Sequence, residues 1–125
     1  MILDTNALSA LFAGDPAVGA ALAGRDRHHL PVVVIGEYRS GLSRSRHREA
    51  LEALLTDLVE ESEVLTLGRG TARHYAEVRD ELRRRRRSIP ENDVWIAALA
   101  REHQLPILSR DERFDQVERV ERVTW

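Results

Sequence analysis

Apolar and polar positions change their period several times along the 125-residue chain, and each change marks a predicted element. Met1–Asp4 is a short apolar run closed by an acid and reads as a buried strand. From Thr5 to Ala13 the apolar residues fall at Ala7, Leu8, Leu11 and Phe12, a helical spacing that Gly14-Asp15-Pro16 ends. Asp15 as N-cap and Pro16 at the first helical position start a second helix that runs to about Gly24. Arg25–His29 reads as a polar connector. Leu30–Ile35 is a continuous run rich in β-branched residues and predicts a central strand buried on both faces. A helix is expected from about Gly36 to Ser43, and another from about Arg46 to Glu61 with an apolar stripe of Leu51, Leu54, Leu55 and Leu58. Val64–Leu67 is a third strand. Thr71 to about Arg87 is a long helix with Ala72, Tyr75, Ala76, Val78 and Leu82 turned inward, interrupted by Ser88-Ile89-Pro90. Asn92–His103 is a strongly apolar helix, Leu105–Ser109 a fourth strand, and Val120–Thr124 a fifth at the sheet edge. Strands alternating with helices imply an α/β fold whose mostly parallel sheet is covered on both faces. The length fits one domain spanning 1–125.

Composition narrows the chemistry. There is no cysteine, which removes disulfides, thiolate zinc sites and cysteine nucleophiles together. There is no lysine either, and all 19 basic residues are arginine, a bias that base composition explains. Its consequence is that P-loop nucleotide hydrolysis, Schiff-base chemistry and lysine-assisted phosphoacceptor sites are excluded. No apolar run approaches the roughly 18 residues of a membrane span. The opening MILDTN lacks the basic head and long apolar stretch of a secretory signal, so a cytoplasmic protein is expected. The net charge of −2 carries no global nucleic-acid signature. Locally, though, Arg69–Arg87 holds eight arginines against Glu77, Asp80 and Glu81. Arg83–Arg87 points around the helix rather than along one face, so it reads as a solvated helix end or as a phosphate-contacting rim.

Ligands of open α/β sheets bind at the carboxyl ends of the strands. Four acids are expected there: Asp4 ending the first strand, Glu37 at the start of the helix after the second, Asp93 opening the most apolar helix, and Asp111 two residues past Ser109. Asp93 also suits a helix start, and Asp111 a turn. Asp4 is the hardest to explain as structural, because a carboxylate ending a buried strand is costly without partners. Clustered carboxylates repel, and a hard divalent cation with oxygen ligands resolves the repulsion; without cysteine or paired histidines, Mg²⁺ or Mn²⁺ fits better than zinc. His28, His29, His47, His74 and His103 read as surface residues. Thr5 and Asn6 either orient Asp4 or cap the following helix, and Ser109 is a strand-end turn former or a phosphate contact.

These residues resemble the PIN-domain family, and within it the VapC-type toxin ribonucleases of type II toxin–antitoxin systems. The matching pieces are Ile2-Leu3-Asp4-Thr5-Asn6, then Val33-Val34-Ile35-Gly36-Glu37-Tyr38 with Gly41-Leu42, then Pro90-Glu91-Asn92-Asp93 running into Trp95-Ile96-Ala97-Ala98, and Leu108-Ser109-Arg110-Asp111 with Phe114. Their order and spacing match across essentially the whole chain. The resemblance implies a three-layer fold with a five-stranded sheet in 3-2-1-4-5 order and a Mg²⁺- or Mn²⁺-dependent endoribonuclease. It also implies a homodimer and a cognate antitoxin protein whose tail enters the active-site groove, with a toxin–antitoxin hetero-oligomer as the assembly. Asp4, Glu37, Asp93 and Asp111 match the family's acidic quartet, as catalytic residues and metal ligands, with Thr5, Asn6 and Ser109 as polar support. Asp115 is a nearby acid outside that set. Arg84, Arg86 and Arg110 are candidate RNA contacts. Two rivals stand beside this reading: a phosphatase or phosphoacceptor using Asp4, and a non-catalytic module binding RNA or a basic peptide.

Overall fold

The computed structural model describes residues 1–25 and 27–125. Strand β1 (Ile2–Leu3) leads into α1 (Thr5–Phe12) and α2 (Pro16–Leu22); β2 (His29–Pro31) leads directly into α3 (Val32–Leu42), followed by α4 (Arg48–Glu61). Then come β3 (Glu63–Leu65), α5 (Arg69–Arg84), α6 (Glu91–His103), β4 (Ile107–Leu108), a 3-10 helix (Glu112–Gln116) and β5 (Arg122–Val123). The five strands pair in parallel in the order β3-β2-β1-β4-β5, as the resemblance implied. β5 lies at the edge, as expected. The connector expected over Arg25–His29 includes residue 26, outside the described residues; its last member, His29, opens β2 and pairs with Ile2 and Glu63.

The main correction concerns the apolar run Leu30–Ile35. It is not one strand: the ladder stops at Pro31 and the helix begins at Val32, so Glu37 is the sixth residue of α3 rather than lying at its start. The buried positions of α3 are Val34, Ile35, Tyr38 and Leu42, an i, i+1, i+4, i+8 stripe on one helical face. Burial of that stripe outweighs the strand preference of consecutive valines. His29 is likewise not a surface residue but a half-buried member of the sheet, with Nδ1 3.2 Å from the Met1 amine.

Central β1 and β4 are fully buried at Ile2, Leu3, Ile107 and Leu108. The core continues through Leu8, Val18, Leu30, Leu55, Leu82, Leu99 and Phe114. Helix α6 is apolar nearly all round, with Val94, Ile96, Ala97, Ala98, Leu99 and Ala100 buried. Such a helix belongs inside the layer, and its N-terminus, with Asn92 and Asp93, lies against the middle of α3, where Glu37 sits. No helix among the described residues is long and apolar enough to cross a membrane.

Candidate active site

The carboxyl ends of β1 and β4 open into a cleft of about 880 Å³ lined by Asp4, Thr5, Asn6, Ser9, Val33, Gly36, Glu37, Ser40, Asn92, Asp93, Asp111 and Arg113. All four acids singled out in the sequence therefore face one space. On α3 the cleft-facing positions are Val33, Gly36, Glu37 and Ser40, an i, i+3, i+4, i+7 set complementary to the buried stripe. The early start of α3 is what turns Glu37 into the cleft.

Asp4 is 5% exposed and its carboxylate is fully engaged. Oδ1 accepts the Thr5 N–H at 2.7 Å; Oδ2 accepts from Asn6 Nδ2 at 2.7 Å and from the Ser109 hydroxyl at 2.7 Å. The N-terminus of α1 contributes to this, since Asp4 is its N-cap. Thr5 and Asn6, read as either caps or orienting groups, do a further job here. Asn6 Nδ2 also reaches Ser109 Oγ at 3.1 Å, and its Oδ1 accepts the Arg110 N–H at 3.1 Å, which ties the loop after β4 to α1. The Thr5 hydroxyl donates to Glu37 Oε2 at 2.8 Å. Glu37 Oε1 accepts from Asn92 Nδ2 at 2.7 Å, so Glu37 is gripped from both sides. Asn92 was missed as a site residue; in the sequence it stood only as the start of the helix and the neighbour of Asp93.

Burial raises the Asp4 carboxyl above its ordinary range; the bonds from Ser109 and Thr5 lower it, and the charges of Glu37 and Asp111 raise it further. Asp93 is pushed up to about 6, first by burial and then by Asp4 and Asp111, with Arg113 opposing and Glu37 adding. Asp111 moves the other way, because hydrogen bonds from Arg113 hold it below the usual carboxylate range. Arg113 Nε lies 2.9 Å from both Asp111 oxygens and Nη2 2.5 Å from Oδ2. Asp111 also caps the 3-10 helix by accepting the Arg113 N–H at 3.0 Å. Arg113 is the second site residue that sequence reasoning passed over; a cation two residues after an acid was the available signal.

The remaining candidates lie elsewhere. Arg84 pairs with Asp80 near the end of α5, and Arg86 adopts a positive φ just beyond it; neither lines the cleft. Arg110 sits at the rim, its guanidinium 4.5 Å from the Trp125 ring centroid and 3.4 Å from Asp15. Asp115 is paired with Arg122 at 2.7 Å, outside the lining.

The donor set is all oxygen, is rich in carboxylate and holds Asp4 and Asp93 above their normal range, which suits a hard divalent cation. As the side chains stand, no three His, Asp or Glu groups among the described residues converge on one point as a metal-binding group. Hydrogen bonds from Thr5, Asn6, Asn92 and Ser109 and the Arg113 clamp hold the oxygens of Asp4, Glu37 and Asp111 instead.

A parallel 3-2-1-4-5 sheet with an acidic cleft at its carboxyl edge defines an α/β protein built for a polar, charge-compensated ligand. Residues 1–120 match the PIN domain, and the chain belongs to the PIN-domain family. It is 30% identical over 115 residues to "Ribonuclease VapC5" of Mycobacterium tuberculosis, covering 90% of this chain and 84% of that protein. Among solved structures, that of VapBC-5 from Mycobacterium tuberculosis, a member of the VapBC family of toxin–antitoxin systems, superposes with a TM-score of 0.78 at 29% identity over 99% of this chain and 97% of the other. VapBC2 from Rickettsia felis, solved bound to a DNA fragment from its promoter, superposes with a TM-score of 0.88 at 21% identity over 99% and 97%, a likeness of fold.

Proposed function

We propose that this chain is a metal-dependent endoribonuclease and the toxin of a toxin–antitoxin pair. The observation that carries the reading is the convergence of Asp4, Glu37, Asp93 and Asp111 on one cleft at the sheet's carboxyl edge, with two of the four carboxyls raised. The identity to a ribonuclease over most of the chain supports RNA as substrate. Asp4, Glu37, Asp93 and Asp111 would hold one or two Mg²⁺ or Mn²⁺ ions. Bound there, a divalent cation neutralises phosphodiester charge and makes water nucleophilic at neutral pH. The residues of the chain position the rest. Asn6, Ser109 and the Thr5 N–H fix the Asp4 carboxylate, while the Thr5 hydroxyl and Asn92 fix that of Glu37. These bonds fix the places of Asp4 and Glu37 in the cleft, which limits the side-chain freedom that ligand binding must remove. The toxin–antitoxin names of the relatives support a cognate antitoxin protein as partner, and the family resemblance supports a homodimer.

Asp4→Asn and Asp93→Asn, purified free of any partner, are each expected to lose RNA cleavage by at least about two orders of magnitude. Full activity in either, measured on total RNA with Mg²⁺ or Mn²⁺ against a chelated control, sinks the assignment. A phosphatase using Asp4 as phosphoacceptor would instead take the phosphoryl group from a small phosphoester, releasing the alcohol and leaving a phospho-aspartate at position 4 of the protein. The engagement of both Asp4 oxygens disfavours that route.

A further inference from the structure

One cation stands among four acids in the cleft. Among the described residues, Arg113 is the sole arginine lining it, and it spends Nε and Nη2 on one carboxylate, Asp111, which is also expected to ligate metal. The two residues are only two apart in a short 3-10 helix, so nothing distant fixes the pairing. The Arg113 side chain is 52% exposed while that of Asp111 is 18% exposed, which leaves the guanidinium free to swing out while the carboxylate stays in place. Among the described residues, the only hydrogen-bond acceptor of its side chain is Asp111. A guanidinium fork binds a phosphate as readily as a carboxylate, in the same bidentate geometry.

Resting on the metal-dependent reading above, we propose that Arg113 is a substrate-contacting residue that exchanges partners. In the free chain it clamps Asp111 and competes with the divalent cation for that carboxylate. When the cation takes Asp111, the released guanidinium contacts a phosphate of the RNA strand. Cation loading and RNA binding then favour one another, because each provides for the group that the other displaces. Nothing in this exchange is covalent; the Arg113–Asp111 pair is broken, and two contacts are formed, cation to Asp111 and Arg113 to phosphate.

The test is Mn²⁺ binding followed calorimetrically in the RNA-free chain, with Arg113→Met and Arg113→Lys beside the parent. Arg113→Met is expected to bind Mn²⁺ about three- to tenfold more tightly. Arg113→Lys keeps the charge but loses the fork, so it too is expected to gain affinity, by less. Unchanged or weaker Mn²⁺ binding in Arg113→Met overturns the competition, and affinity in Arg113→Lys equal to the parent's overturns the forked clamp. At saturating Mn²⁺, Arg113→Met is expected to cleave RNA with a KM raised about tenfold or more. An unchanged KM overturns the transfer to phosphate. A parent chain that takes up no Mn²⁺ overturns the metal site itself, a different result from any of these.

Discussion

At position 93 the sign of the pH dependence follows from what surrounds the carboxyl. Asp93 is buried at the start of α6 and faces Asp4, Asp111 and Glu37, so its proton is held to about 6 in the folded chain against 3.8 for an unperturbed aspartate. A folded-state pKa above the unfolded one means that the native chain binds more protons between those values. The contribution to stability is therefore complete below about pH 4 and is lost as pH rises through about 6. In chelator, Asp93→Asn is expected to be more stable than the parent at pH 7.5, and the difference should vanish near pH 4. Because the cleft is open to water, about 1 kcal/mol is expected, well under what the full displacement corresponds to. Melting curves of both proteins at the two pH values check this; an Asp93→Asn protein no more stable at pH 7.5 would remove the carboxylate repulsion from the account. The same residue shows what sequence could reveal. The local pattern made Asp93 an acid at a helix start, and the resemblance made it one of a quartet. Its proximity to Asp4 and Asp111 depends on β1 lying beside β4, which no local pattern contains.

Among the elements, α3 separates what was legible from what was not. The helix after Gly36 was expected, and so was a strand beginning near Leu30. Their junction was misplaced because two patterns overlap in Leu30–Ile35: a continuous β-branched run and the first turn of an i, i+4, i+8 stripe through Val34, Tyr38 and Leu42. The second pattern is visible only when the stripe is followed past the run. Strand ends were overestimated elsewhere too, since β1, β4 and β5 each keep only two paired residues. The corrected helix makes a specific expectation at Gly36. Its φ is ordinary, a Cβ there would meet nothing within 4 Å, and it lies in the interior of α3. Gly36→Ala should therefore stabilise the chain by about 0.5–1 kcal/mol through helix propensity alone. Denaturant titration reads this directly. A loss of stability would mean that Gly36 is needed for a close approach the structure does not contain.

Across the whole molecule, the cleft depends on a polar fastening at a different place in the fold. Glu81 on α5 and Arg101 on α6 form a buried pair, and both reach the backbone ahead of β5: Glu81 Oε1 accepts the Glu118 N–H at 2.7 Å, while Arg101 Nε and Nη2 donate to the Glu118 carbonyl at 2.9 and 2.6 Å. Burial alone would raise the Glu81 carboxyl. The bonds from Arg101 and Glu118, with the charges of Arg101 and Arg85, outweigh it and hold the group below its ordinary value. None of these residues lines the acidic cleft. They fix α6 against α5 and the sheet edge, and α6 carries Asn92 and Asp93 at its other end. Nothing in the spacing of Glu81, Arg101 and Glu118 announced the contact; Arg101 read as one more residue of an apolar helix. Arg101→Met leaves Glu81 charged and buried without its main partner, which is expected to cost about 3–5 kcal/mol. Pairing it with Glu81→Leu should recover part of that loss, because the isolated charge is gone and only the Glu118 backbone groups stay unpaired. The same fastening sets a pH direction opposite to that of Asp93: a depressed carboxyl contributes stability above its unfolded pKa and loses it as pH falls through the folded one. Acid should therefore weaken the parent at Glu81 and leave the double variant without that component. Unfolding curves of parent, single and double variants at pH 7 and pH 4 separate the two carboxyls. If the double variant were as unstable as Arg101→Met alone, the cost would lie in lost packing of the arginine stem rather than in the stranded charge.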